Sequence, residues 1–245
     1  TETEPPLYRL SVNNITHQYI SHPKEREEFY EFPYQVLRHY KRTPPEILLI
    51  GGGVGTDTSF ALGYGVKSID VVEIDPVIAA IGKELNPARP YEDPRVNLTI
   101  QDGRVFMKNC EKKYDAVLFG LPDSLGLVSP SASVRLESFL FTLESFEDAR
   151  KLLKEDGMFI LYNYYRHEWL VRRLAAMLET VFGDHPIVLM PPKESLAAVL
   201  FAGPGIKHVP EYFGAQFGLR RLTLTEADRA DILPSDNWPF FYLQS

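Results

Sequence analysis

The sequence predicts an α/β protein, a doubly wound and mostly parallel sheet carrying a small β-hairpin element at its N-terminus. Three observations lead there. Short apolar runs at 47–50, 68–73, 96–100, 114–119 and 158–162 alternate with segments of helical spacing. The runs are largely apolar instead of strictly alternating, as expected of strands covered on both faces. A glycine-rich turn, Gly51 to Gly55, follows the first run and precedes a helical segment, at the end of a strand where open α/β sheets receive ligands.

Taken in order, residues 7–20, LYRLSVNNITHQYI, alternate apolar and polar positions around Asn13 and Asn14, a pair that tolerates a tight turn; this reads as a hairpin. KEREEFYEFPYQVLRHY has helical spacing, and Pro44 and Pro45 end it before the first main strand. Helices are expected near 56–63, 76–85, 103–109 and 137–153, and another begins near Glu168. Two further runs, 187–190 and 196–202, are spaced like an antiparallel pair closing the sheet edge. Segment 120–136, rich in Gly, Ser and Pro after the fourth strand, is a candidate active-site loop. The expected division is 1–45 for hairpin and helix, 46–205 for the Rossmann-like unit and 206–245 for a C-terminal extension.

With 245 residues, 44% of them hydrophobic, the chain is long enough for a sizeable core. A net charge of −7 argues against a nucleic-acid binder, which needs a basic face, and favours small-molecule chemistry. Cys110 is the single cysteine, so there is no disulfide framework, and the six histidines lack ligand spacing, so no metal site is expected. No apolar run is long enough to span a bilayer and the first residues lack a signal-peptide core. The start at TETEPP and the stop at NWPFFYLQS suggest a piece of something longer, or ordinary trimming.

The chemistry concentrates around the glycine turn. Gly51, Gly53 and Gly55 permit a tight turn and close approach of a ligand, and Glu73 ends the next strand where its carboxylate can accept hydrogen bonds from ribose hydroxyls. Asp102 and Gly103, after the third strand, form a polar turn suited to an adenine amino group. The order G-G-G-V-G-T-D departs from the pyrophosphate-binding G-x-G-x-x-G and places an acid, Asp57, near its end. A sulfonium nucleoside has no phosphate to cradle, and its cationic groups prefer carboxylates and aromatic faces.

The motifs ILLIGGGVG, VVEIDP, VNLTIQDGRVFM, YDAVLF, ESFLFTLESF and LLKEDGMFILY resemble, in order and spacing, those of the spermidine synthase family, the aminopropyltransferases built on the class I methyltransferase fold. The likeness covers roughly residues 8–202. It implies that Glu73 holds the ribose, that Asp102 lies on the adenine side, that the turn from Gly51 to Gly55 faces the methionine-derived arm, and that Gln18 and Glu31 face the substrate. It further implies S-adenosylmethionine or its decarboxylated form as substrate, and a homodimer through the hairpin. RLESFLFTLESF and PSDNWPFFYL resemble the spermidine synthase-like domains that some bacterial proteins carry fused to membrane-spanning helices. The chain is then expected to be the cytoplasmic soluble domain of an integral membrane protein.

Departures from the family pattern gather in the acceptor half. The family's GGGDG has an acid for the arm's amine where this chain has Val54. Its YDVIxxDSSDP has a first acid, for the attacking amine, where this chain has Gly120; the second acid is kept as Asp123. The polyamine-lining YPSG is replaced by PPKES at 191–195. Tyr162, Tyr164, Tyr165 and Arg166 follow the fifth strand. Tyr164 is the candidate whose hydroxyl replaces a lost acid; the alternative is that these residues cap the strand and pack on the next helix. Catalysis is thus assigned to Asp123, Tyr164 and Glu31. Three functions follow: breakage of the bond from sulfur to the arm by intramolecular cyclisation, conventional aminopropyl transfer to a polyamine, or a non-catalytic nucleoside sensor. Methyl transfer is a weaker fourth.

Overall fold

A computed structural model describes residues 7–12, 15–21, 28–41, 43–120, 139–165, 167–192, 197–210 and 212–243. Strands β1 (Tyr8–Val12) and β2 (Ile15–Ile20) pair antiparallel, with a register shift at Leu10 and Ser11, as the hairpin pattern predicts. Helix α1 (Glu28–Tyr40) leads to an eight-stranded sheet, whose first five strands follow the apolar runs: β3 (Glu46–Ile50), β4 (Ser68–Glu73), β5 (Val96–Ile100), β6 (Tyr114–Gly120) and β7 (Leu153–Tyr164). Helices α2 (Thr56–Gly63), α3 (Pro76–Leu85), α4 (Gly103–Asn109), α5 (Leu143–Lys151) and α6 (Glu168–Phe182) alternate with them.

The chain continues through β8 (Ile187–Met190), β9 (Ala197–Ala202), β10 (Arg220–Arg221) and α7 (Glu226–Arg229). The strand order is β10-β8-β9-β7-β6-β3-β4-β5, and β3 to β7 are all parallel to their neighbours among themselves. Period-two alternation within each strand sends side chains to two separate cores. Leu48, Ile50, Val117 and Phe119 pack with α5 and α6, whereas Ile47, Leu49, Ala116 and Leu118 pack under α1 and α2.

Two expectations change. The run 187–190 and the described part of the second run, 197–202, do pair antiparallel, but they do not close the edge: β9 inserts between β7 and β8, antiparallel to both, and β10 lies outside them. Every residue of β9 is buried, which suits a strand bonded on both sides, whereas a two-residue arginine strand suits an edge, being short and charged. Of the helix expected over 137–153, the described residues form α5, Leu143–Lys151, because the Thr142 hydroxyl accepts the Ser145 amide as an N-cap and Leu153 already pairs with Tyr114 in the sheet.

Strand order reverses between β3 and β6. The C-terminal ends of these two strands, the glycine turn and Gly120, therefore flank the topological switch point of the sheet. At the opposite ends of the strands, Lys154 bridges Glu46 and Asp115, and Lys41 joins Asp115 as well. That lattice ties β3, β6 and β7 together at their starts and leaves the other rim to a ligand.

Candidate functional site at the β3 and β6 switch point

Gly51, Gly53 and Gly55 all have positive φ, and Gly53, at +54°, is also pressed by the hairpin: a Cβ there would lie 2.6 Å from Gln18 Oε1. The turn is bonded internally along its length. Gly51 and Gly52 donate to Val72 O at 2.9 and 3.2 Å, and Gly55 donates to Gly52 O at 3.0 Å. The Gly53 amide donates to Glu73 Oε2 at 2.6 Å, and Val54 donates to Gln18 Oε1 at 2.9 Å. Each backbone N–H from Gly51 to Gly55 thus has an acceptor within the protein.

Glu73 is buried at the end of β4, and its second oxygen accepts the Asp75 amide at 2.8 Å. A carboxylate offers about four lone-pair directions, so two acceptor sites remain for hydroxyl donors. The Tyr91 hydroxyl lies 2.7 and 2.8 Å from the carbonyls of Gly52 and Gly53, sealing the turn from behind. Burial, with the charges of Glu73 and Asp57 adding to it, pushes this phenol's pKa up, so it stays a donor. Asp102 caps α4 by accepting the Val105 amide at 3.0 Å, and Gly103 lets that helix start close to β3, where a Cβ would meet Ile50 Cγ2 at 2.7 Å.

Val54 is buried with Ile20 of the hairpin and Ile78 of α3, and Leu10, Ile81 and Leu85 pack around them. Its apolar character therefore has a structural cause, because it joins the hairpin to α3 behind the turn. Asn86 Nδ2 donates to Val54 O at 2.9 Å, and a Cβ on Gly82 would lie 2.8 Å from three backbone atoms of Val54. Alanine in a helix interior ordinarily stabilises by about 1 kcal/mol over glycine. At Gly82 the neighbour is backbone and cannot rotate aside, so Gly82→Ala is expected to destabilise by about 1–3 kcal/mol in thermal denaturation. A gain in stability would refute the close approach.

Helices α1 and α2 build the other half. Tyr30 stacks on Phe60 (centroids 5.8 Å apart) and Tyr34 on Tyr64 (6.2 Å), two rungs set by the i,i+4 spacing on each chain segment. The polar ends are exchanged across the same contact: Tyr64 donates to Glu31 Oε2 at 2.7 Å, and Tyr34 donates to Asp57 Oδ1 at 3.3 Å. Glu31 and Asp57 are each 5% exposed. Burial, followed by the charge and hydrogen bond of Asp57, raises the Tyr34 pKa well above that of a free phenol. Asp57 lies beside the end of β6, for a Cβ on Gly120 would sit 2.9 Å from Asp57 Oδ2 and 2.9 Å from Tyr162 Oη.

The structure thus gathers Gln18 and Glu73 around the turn of Gly51, Gly53 and Gly55 and places Asp57 and Glu31 beside it. Tyr164, at the end of β7, is 43% exposed, whereas Tyr162, two residues earlier, is the tyrosine beside Gly120. Asp123 and Arg166 lie outside the described residues, as do 193–195 of the PPKES segment. Sequence reasoning missed Tyr34, Tyr64, Tyr91 and Asn86; only the paired aromatic spacing, 30 with 34 and 60 with 64, could have signalled the first two. Among the described residues no group of three or more His, Cys, Asp or Glu is disposed to hold a metal ion.

A family model described as the spermine/spermidine synthase domain matches residues 30–190. A polyamine aminopropyltransferase of Korarchaeum cryptofilum is 36% identical over 149 residues, which is 59% of this chain and 44% of that protein. The chain spans about half the length of the first curated relatives it matches. A crystal structure of spermidine synthase in complex with the transition-state analogue AdoDATO superposes with a TM-score of 0.64 at 19% identity, over 96% of this chain and 77% of that one. Human methyltransferase-like protein 13, in complex with SAH, superposes at 0.50 and 19% identity, over 72% and 78%. Together with the strand order, these likenesses describe a class I methyltransferase-like fold preceded by a β-hairpin.

Proposed function

The chain belongs to the spermine/spermidine synthase family, and on that premise we propose that it breaks the bond between the sulfonium sulfur and the three-carbon arm of S-adenosylmethionine or its decarboxylated form, releasing methylthioadenosine. The observation that carries this reading is the closed glycine turn. With the amides of Gly51 to Gly55 all committed to protein acceptors, the turn has no donors left to cradle a pyrophosphate, and Asp57 adds a negative charge beside it. A phosphate-free, cationic nucleoside fits such a site, with its ribose hydroxyls on the remaining lone pairs of Glu73 and its adenine towards Asp102 and Gly103.

In the reaction a nucleophile's lone pair attacks the arm carbon on sulfur, the C–S electron pair returns to sulfur, and neutral methylthioadenosine leaves. Gly120 brings no acid to the attacking amine and Val54 brings none to the arm. An internal nucleophile, the arm's own amine or carboxylate closing a ring, needs no diamine pocket, and proximity supplies a large part of its barrier. A second reading, transfer to an external polyamine, is favoured by the buried Glu31, whose carboxylate lies with Tyr64 and the aromatic rungs of α1 and α2 in surroundings suited to an ammonium ion. Asp123 and Tyr164 are the further candidate groups for proton transfer in either case.

Incubation of the purified chain with each form of the nucleoside, with and without putrescine, and mass spectrometry of the products decides between them. Methylthioadenosine formed without putrescine, together with a ring-closed arm, is the expected result; strict dependence on putrescine would select the aminopropyl transfer. Binding without turnover would make the chain a sensor, and a methylated product would overturn sulfur-to-arm cleavage altogether. Dimerisation through the hairpin, which exposes Tyr8 and Tyr19, and fusion to membrane helices belong to the same proposal. Among the described residues no helix is long and apolar enough to cross a membrane.

A further inference from the structure

We propose that Asp57, reaching from the first turn of α2, is the carboxylate partner of the attacking amine, in place of the acid that the end of β6 lacks; this rests on the sulfonium-cleavage reading above. The geometry at Gly120 is the reason. Its φ is not in the left-handed region, so the backbone would accept a side chain. The space beside it is already taken by two side-chain ends, which would have to shift for any side chain: a Cβ there would stand 2.9 Å from Asp57 Oδ2, 3.2 Å from Asp57 Cγ and 2.9 Å from Tyr162 Oη. An acid on Gly120 would therefore reach the place that the Asp57 carboxylate already takes.

Electrostatics points the same way. Two carboxylates that close would repel, and one would take up a proton, so a site with Asp57 gains nothing from a second acid on β6. Asp57 is held in position by the Tyr34 hydroxyl on Oδ1, and burial together with the Asp57 charge keeps that phenol protonated. Its other oxygen, Oδ2, is the one turned towards Gly120 and the switch point. The ring of Tyr30, edge-on to Tyr162 at 6.3 Å and stacked on Phe60, supplies an aromatic wall for a cation in the same place. The carboxylate is thus supplied by the facing helix and not by the strand end.

An exchange of acids tests this. Asp57→Ala is expected to slow methylthioadenosine release by about 10²-fold or more, the scale of a lost general base or its equivalent. The double variant Asp57→Ala with Gly120→Asp, in which one close contact is removed and the Tyr162 hydroxyl, the end of a side chain, shifts aside, is expected to recover at least roughly tenfold over Asp57→Ala. Melting curves of all three proteins separate this from a folding defect, because a purely structural Asp57 would not be rescued by an acid on another element. In parallel, calorimetry with decarboxylated S-adenosylmethionine, and with putrescine in the presence of methylthioadenosine, is expected to show one of the two amines losing about tenfold in affinity in Asp57→Ala and regaining it in the double variant, while methylthioadenosine alone binds unchanged. If the unsubstituted chain releases no methylthioadenosine, the sulfonium-cleavage reading falls, and the binding measurements still decide the role of Asp57. Folded variants in which both amines bind as before, or a double variant no better than Asp57→Ala in rate and binding, would overturn the proposal.

Discussion

Glu73→Gln is expected to weaken methylthioadenosine binding by roughly 10²-fold, about 3 kcal/mol, read by calorimetry. The substitution keeps the shape and changes the donors. Both carboxylate oxygens accept backbone amides, Gly53 at 2.6 Å and Asp75 at 2.8 Å, within a buried turn. Glutamine has one oxygen, so its NH2 must face one of these N–H groups, and two donors then meet where neither can accept. An unpaired buried amide costs about 1–3 kcal/mol, and the loss of charge weakens whatever hydroxyls share the group. On the proposed reading the nucleoside side of the site suffers first, because Glu73 is the residue assigned to the ribose hydroxyls. A loss of a few degrees in melting temperature is expected alongside, at about 2–4 °C per kcal/mol for a chain of this size. Affinity unchanged in a folded Glu73→Gln would remove Glu73 from the binding site.

Arg173→Ala is expected to cost about 3–5 kcal/mol of folding stability, the range for breaking a buried ion pair and stranding its partner. Arg173 is 1% exposed on α6, and its guanidinium spreads over three acceptors. Nε and Nη2 meet Asp231 at 2.7 and 3.2 Å, and Nη1 donates to the carbonyls of Phe241 and Leu243 at 2.8 and 2.6 Å, while the Trp169 ring lies 4.8 Å away. One side chain thus fastens 231–243 to α6. That segment in turn holds the entry to α5: Asp236 accepts Arg104 and the Thr142 hydroxyl, both at 2.8 Å, and its amide donates to Glu144 at 2.9 Å. Arg173→Lys should rescue little, since a single ammonium cannot reproduce the planar fork. Urea denaturation measures the loss, and a change below about 1 kcal/mol would show that the segment is held by its apolar contacts instead.

Much of this architecture was legible because its causes are local. The runs at 68–73 and 96–100 are β4 and β5, and 56–63, 76–85 and 103–109 are α2, α3 and α4, since a strand covered on both faces, as β4 is, a partly exposed edge strand, as β5 is, and a helix lying over the sheet each leave a short-range apolar pattern. The glycine turn and Glu73 were legible for the same reason, being one strand, one turn and the next strand. The place of β9 between β7 and β8 was not, because pairing order depends on which edge is already occupied, and nothing within 197–202 records that.

The side chains of the site divide similarly. Val54 read as an acid lost from the acceptor half, yet its neighbours are Ile20 and Ile78, brought from the hairpin and from α3. Tyr164 and Tyr162 were indistinguishable in a run of aromatic residues; where β7 ends relative to β6 decides that Tyr162 is the one beside Gly120. The sequence by itself determined the parallel sheet, the glycine turn after β3 and the acid that ends β4, because these follow from periodicity and from residues within a few positions of one another. Only the tertiary structure decided that Asp57 occupies the space above Gly120, and that Glu31 and Asp57 each take a tyrosine from the opposite helix. Such contacts depend on the packing of α1 on α2 and of α2 beside β6, and close packing, unlike periodicity, leaves no mark on either segment alone.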